Sequence, residues 1–272
     1  MLRVWCFAFV CTVTAFAANA QTCGDADTPC KVDTGEYHIA VPDGIEAPGV
    51  FVFLHGSGGR GSSGVANTGF VERVGNRGYA LLAPSGAERD WSVRDGLFED
   101  TERDDVAFLQ NVIDDAVTRF GLDRSRVILT GFSRGGSMVW DVACEALDTA
   151  GAYAAAAGGF WEPMVTFCQG PVHLHHSHGF KDPMVPFEGR QGVWRGNEFH
   201  QGNIAKGIDI WRSTMGCVAR ADETEIAEMW IKRWPECGQG SITMRLWDGG
   251  HGMPRGWSTD VIDWFEAIEQ NG

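Results

Sequence analysis

Residues 126–136 read RVILTGFSRGG. Arg126–Thr130 is a short β-branched strand, and Gly135–Leu147 continues it with apolar residues at helical spacing. Between them lies Gly131-Phe132-Ser133-Arg134-Gly135, a G-x-S-x-G pattern. A tight strand-to-helix turn holds its central residue in strained backbone geometry and lifts the hydroxyl above the sheet. The flanking glycines are needed because side chains there would clash. The competing reading is an ordinary Gly-Ser turn. A strand directly before and an apolar helix directly after favour Ser133 as a nucleophile.

The same alternation runs outward from this point. Gly49–Leu54 (GVFVFL), Gly78–Ala83, Tyr153–Ala157, Val172–His178 and Ile242–Trp247 read as strands, as does Glu225–Trp230. Asp104–Phe120, Asn203–Met215 and Thr259–Ile268 read as helices. Continuous apolar strands separated by helices predict an α/β chain with a mostly parallel central sheet covered on both faces. With no repeat, low-complexity tract or proline-rich linker, residues 21–272 read as a single domain. Phe187–Gly202 (FEGRQGVWRGNEFHQG) has no clear period and is expected to be a surface excursion that contacts ligand.

A serine hydroxyl needs a base to take its proton, and in this strand–turn–helix context the partners follow in the order acid, then histidine. Asp182 stands just past VHLHHSH, within Gly179-Phe180-Lys181-Asp182-Pro183. Position and order favour it over Asp209, Asp222 and Asp248, although an Asp before Pro is also a common turn former. His251 sits in Asp248-Gly249-Gly250-His251-Gly252, after the strand ITMRLW and before the last helix, where the base belongs. A developing oxyanion needs backbone N–H donors. The expected ones are Arg134, directly after the nucleophile, and Ser57 within His55-Gly56-Ser57-Gly58-Gly59. No G-K-[ST] follows those glycines, so a phosphate cradle is disfavoured.

The 272 residues carry 22 Lys+Arg against 36 Asp+Glu, a formal charge of −14, with 44% hydrophobic residues. That composition excludes wholesale disorder, and so acidic a surface repels nucleic acid and anionic membrane. Residues 1–20 combine Arg3 with an apolar run closing on Ala18-Asn19-Ala20, the pattern of a cleaved signal peptide. No later stretch is apolar enough to span a membrane. The expected location is therefore outside the cytoplasm, periplasmic or extracellular. Past the leader remain Cys23, Cys30, Cys144, Cys168, Cys217 and Cys237, an even number suited to disulfides. Sequence alone leaves their pairing open; the simplest pattern joins neighbours, Cys23–Cys30, Cys144–Cys168 and Cys217–Cys237.

LHGSGG, DDVAFL, DRSRVILTGFSRGGSM, HGFKDPMVPFEG and GGHG, in that order, resemble the secreted polyhydroxybutyrate depolymerase and feruloyl esterase group of α/β-hydrolases. The resemblance covers roughly residues 35–268. It implies an eight- or nine-stranded α/β-hydrolase sheet, ester hydrolysis without a cofactor, and a Ser133–Asp182–His251 triad with the HGSGG loop lining the oxyanion pocket. It also implies cysteine pairs matching Cys144–Cys168 and Cys217–Cys237. The chain departs from the group at Arg134, where many members have a small residue or Asn, and at Gly252-Met253-Pro254, where several have Trp-Pro.

The expected function is that of a secreted serine esterase acting on feruloyl or acetyl esters of plant polysaccharide or on hydroxyalkanoate oligomers. The alternatives are a carbohydrate-binding protein with a vestigial triad and a serine peptidase. His173, His175, His176 and His178 invite a metal reading, but strand alternation puts two on each face, so no metal site is expected. Trp161 and Trp194 are candidates to stack on a flat ring of the substrate.

Overall fold

The computed structural model describes residues 23–96, 103–194, 196–217, 219–226 and 228–270; the expected signal peptide lies outside them. The chain begins with β1 (Cys30–Val32) and β2 (Gly35–Ala40), followed by β3 (Gly49–Leu54). Two short helices, α1 (Gly61–Ala66) and α2 (Thr68–Gly75), lead to β4 (Tyr79–Pro84) and α3 (Asp105–Phe120). Next come β5 (Val127–Phe132), α4 (Arg134–Glu145), β6 (Ala152–Ala156) and β7 (His173–Gly179). A hairpin of β8 (Arg190–Trp194) and β9 (Asn197–Gln201) precedes α5 (Ile204–Met215). The chain closes with β10 (Asp222–Ile226), β11 (Met229–Cys237), β12 (Gly240–Trp247) and α6 (Trp257–Glu269).

Ten strands form one sheet in the order β1-β2-β4-β3-β5-β6-β7-β12-β11-β10. The six central strands, β4 to β12 in that order, run parallel, and the two at each edge are antiparallel. Strand alternation divides the core. Val50, Val52, Val127, Leu129, Tyr153 and Ala155 face a cluster with α3, α4 and α5. Phe51, Ile128, Ala152 and Ala154 face a second cluster with α2 and α6. This is the α/β architecture expected, a single domain with helices on both faces. Two expectations need correction. The sheet has ten strands rather than eight or nine, because β10 and β11 extend its edge. Glu225–Trp230 is not one strand: Ile226 pairs with Met229 across a hairpin turn in which Glu228 adopts φ 64°. No glycine or asparagine marks that turn, so its β-branched flanks read as continuous.

The Phe187–Gly202 segment is also more regular than expected. It is a two-stranded ribbon fastened to the body by a Trp161–Gln201 bridge and by the Gly202 N–H donating to Phe160 O at 3.0 Å. Three disulfides join sequence neighbours, Cys23–Cys30, Cys144–Cys168 and Cys217–Cys237. Among the described residues no helix is long and apolar enough to cross a membrane.

One ionisable group sits deep in this scaffold. Asp141 in α4 is buried, accepts the Arg94 N–H at 2.9 Å, and burial pushes its carboxyl up to about 7 from 3.8. Between those values the folded state keeps a proton that the unfolded chain has released, so the contribution of Asp141 to stability falls as pH rises through that window. Asp141→Asn retains an acceptor for Arg94 but cannot ionise. In urea unfolding, the stability of this variant relative to the parental protein should rise as pH increases from about 4 to about 7.

Candidate active site

The turn from β5 into α4 places Ser133 at φ 56°, ψ −121°, a conformation that non-glycine residues seldom adopt. The Ser133 N–H donates to Ala156 O at 2.8 Å, tying the turn to β6. A Cβ on Gly135 would lie 2.2 Å from Leu54 O, so only glycine lets α4 start this close to β3.

Asp182 and His251 reach the same point from the ends of β7 and β12. His251 Nε2 lies 2.9 Å from Ser133 Oγ, and His251 Nδ1 lies 2.8 Å from Asp182 Oδ2. The other Asp182 oxygen, Oδ1, accepts the Met184 and Val185 N–H groups at 2.8 and 2.9 Å. The carboxylate is thus buried and held by two backbone donors as well as the imidazole. Phe132 packs on the His251 ring, 4.9 Å between centroids.

The histidines of β7 support this acid. His178 Nε2 lies 2.8 Å from Val185 O, a group that only accepts, so this nitrogen carries the proton. Its Nδ1 is then the acceptor for His176 Nε2, 3.2 Å away. Burial lowers the pKa of both rings, which keeps them neutral. His175 points to the opposite face, against Trp264 of α6, and His176 packs against Trp140 of α4. No three His, Cys, Asp or Glu side chains among the described residues converge as a metal-holding group.

Ser57, Ser133, Arg134, Trp161, Trp194 and His251 line one cavity of about 170 Å³. Arg134 is the first residue of α4, where backbone N–H groups have no intrahelical acceptor. Trp161 is buried beneath the Arg134 guanidinium, 4.3 Å from its carbon to the ring centroid, whereas Trp194 on the β8–β9 ribbon is exposed.

Sequence reasoning missed Asp90. This buried carboxylate accepts the Ser57 hydroxyl on Oδ2 and the Trp91 N–H at 2.9 Å on Oδ1, and the Arg134 Nε lies 3.2 Å from Oδ1. Burial pushes the Arg134 guanidinium down, while Asp90 and Asp141 oppose that shift. Asp90 therefore joins the side chains of both residues expected to supply oxyanion donors. Its motif, Arg89-Asp90-Trp91, carries no local signal of this because both partners are distant in sequence.

A phospholipase/carboxylesterase family model matches residues 98–201. A probable feruloyl esterase C of Aspergillus flavus is 32% identical over 215 residues, covering 73% of this chain and 74% of the relative. The feruloyl esterase C of Emericella nidulans is 27% identical over 224 residues, covering 77% and 78%. Among solved structures, the acetyl xylan esterase from Aspergillus awamori superposes with a TM-score of 0.62 at 14% identity, over 85% of this chain and 93% of that one. The Bacillus cereus carboxylesterase does so with a TM-score of 0.55 at 13% identity, over 87% and 95%. At such identities these two structures support the fold. The chain belongs to the α/β-hydrolase esterase family of these feruloyl esterases and is a carboxylic ester hydrolase. The peptidase and vestigial-triad readings are not favoured.

Asp90→Asn keeps the side-chain volume but removes the charge beside buried Arg134. Stability should fall by about 3–5 kcal/mol, as for a broken buried ion pair. Where Ser57 and Arg134 supply the expected oxyanion donors, kcat on p-nitrophenyl acetate should fall about 10–100-fold with little change in KM, because such donors act in the transition state. Urea unfolding and steady-state kinetics on the one variant check both.

Proposed function

We propose that this esterase is secreted and cleaves hydroxycinnamoyl (feruloyl-type) esters of plant polysaccharide through Ser133, His251 and Asp182. The observation that carries the reading is the continuous hydrogen-bonded chain from Ser133 Oγ through both imidazole nitrogens to Asp182. His251 Nε2 takes the hydroxyl proton as Ser133 Oγ attacks the ester carbonyl carbon. Asp182, accepting from Nδ1–H, fixes the tautomer and stabilises the imidazolium. The backbone N–H groups of Ser57 and Arg134 receive the oxyanion. Collapse expels the alcohol with the proton from His251 and leaves an acyl group on Ser133. Water, deprotonated by the same imidazole, then releases the acid.

The names of the feruloyl esterase relatives support the acyl group. Trp161 and Phe199, ring centroids 5.8 Å apart beside the cavity, supply aromatic surface for a planar acid. Secretion is supported by the leader pattern of residues 1–20 together with three disulfides, which persist in oxidising compartments.

Ser133→Ala should retain the fold and lose methyl ferulate hydrolysis by roughly 10⁴-fold or more, with no labelling by a fluorophosphonate probe. Undiminished turnover would reject the nucleophile. In the parental enzyme, methyl ferulate should be cleaved with a higher kcat/KM than acetylated xylan or hydroxybutyrate oligomers; a preference for either of those would reject the acyl group and leave the mechanism standing.

A further inference from the structure

We propose that a second cavity, beside the one containing Ser133, binds a carboxylate carried on a ring with an apolar face. This cavity, about 510 Å³, is lined by Phe53, Phe70, Met253 and Trp257 and by three arginines, Arg60, Arg73 and Arg255. It shares two loops with the candidate active site. Ser57 and His251 line the smaller cavity, whereas His55, Gly59 and Met253 line the larger.

Charge is the argument for an anion. The chain has 36 acids to 22 bases, yet no Asp or Glu lines this cavity. Elsewhere Arg77, Arg94, Arg119, Arg126, Arg212 and Arg245 each hold a carboxylate, whereas Arg89 and Arg190 bond neutral acceptors. Among the described residues, the side chains of Arg60, Arg73, Arg220, Arg233 and Arg255 make neither an ion pair nor a hydrogen bond. Three of these five line the one cavity, and all three are exposed. Guanidinium groups gathered without counter-charge in an acidic protein repel one another, and a bound carboxylate relieves that repulsion through paired N–H donors.

The floor argues for a ring. Phe53, Phe70 and Trp257 offer apolar and aromatic surface that a bare inorganic anion would not use. His55 adds no competing charge: Nδ1 lies 2.8 Å from Gly56 O, Nε2 accepts the Gly86 N–H at 3.0 Å, and burial lowers its pKa. Two sources carry the required chemistry, a free hydroxycinnamic acid and a uronic acid of a polysaccharide. The first would make the cavity a site of product retention, the second an extension for the alcohol arm of the substrate. Neither depends on Ser133 being the nucleophile.

Calorimetric titration of the wild-type enzyme with ferulate and with a glucuronic-acid-bearing xylotriose tests the proposal, since neither contains an ester. At least one should bind with a Kd below about 1 mM. Its uncharged counterpart, ferulamide or plain xylotriose, should bind at least about tenfold more weakly. The Arg60→Gln/Arg73→Gln/Arg255→Gln variant should lose about tenfold in affinity while its p-nitrophenyl acetate turnover stays within about twofold. Binding by ferulate alone identifies product retention, and binding by the uronate alone the alcohol arm. Failure of both acids to bind, equal binding of the uncharged counterparts, or unchanged affinity in the triple variant would overturn the proposal. Should the variant not fold, the comparison of charged and uncharged ligands in the wild type still decides.

Discussion

The close approach of the first turn of α4 to the ends of β3 and β6 is the constraint on which the rest of this structure depends. A Cβ on Gly131 would lie 2.3 Å from Gly135 O, and one on Gly158 would lie 2.3 Å from Ser133 O. With those positions bare, the backbone around Ser133 is clamped by strands on both sides. Its positive φ is a strained conformation that costs on the order of 1–3 kcal/mol, offset by the packed core around the turn. The hydroxyl is consequently placed by the interior of the sheet rather than by a loop. Everything else has only to be brought to it.

Two buried carboxylates do the bringing, and they work differently. Asp182 is held by two backbone N–H groups of its own loop, and that loop is fastened in turn when His178 donates to Val185 O. The histidine-rich strand β7 is therefore an anchor for the acid loop, its rings kept neutral by burial. Asp90 instead meets a charged partner, and its oxygens join the turn after β3 to the first residue of α4. The departure at Arg134 from the small residue or Asn that many members of the resembling group carry gains a physical meaning here. The larger cationic side chain is accommodated because Asp90 lies beside it and Trp161 lies beneath it.

What could be read from the sequence was whatever local chemistry specifies. β3, β5 and β7 announce themselves as short apolar runs because both faces of a central parallel strand are buried, and the glycines of 131–135 mark a turn that tolerates no side chain. Ser133, Asp182 and His251 stand in the order expected of serine, acid and base, just past β5, β7 and β12. The ribbon β8–β9 does not announce itself, because its residues are half-exposed or exposed and leave no apolar alternation to read, although its two strands pair over five positions. Glu225–Trp230 reads as one strand because no glycine or asparagine marks the turn that separates β10 from β11. Asp90 was illegible for a deeper reason: its meaning lies in Ser57 and Arg134, which are brought beside it only by the tertiary fold.

Charge distribution ties these observations together. An acidic chain repels carboxylates on average, which suits an enzyme whose product is an acid that must leave. Average charge is screened over roughly a Debye length, however, so the local arrangement decides what a departing acid meets. In the smaller cavity the cations are Arg134, matched by Asp90, and Arg190, which bonds Gln201. Beside it lie three arginines with no acid among the cavity's lining residues. On the proposed mechanism, an uncharged ester enters a cavity whose buried cation Arg134 is compensated by Asp90, whereas the acid released from it emerges next to arginines with no acid beside them. Cleavage converts a neutral acyl group into the species the neighbouring surface attracts, and the net charge of the whole chain gives no hint of it.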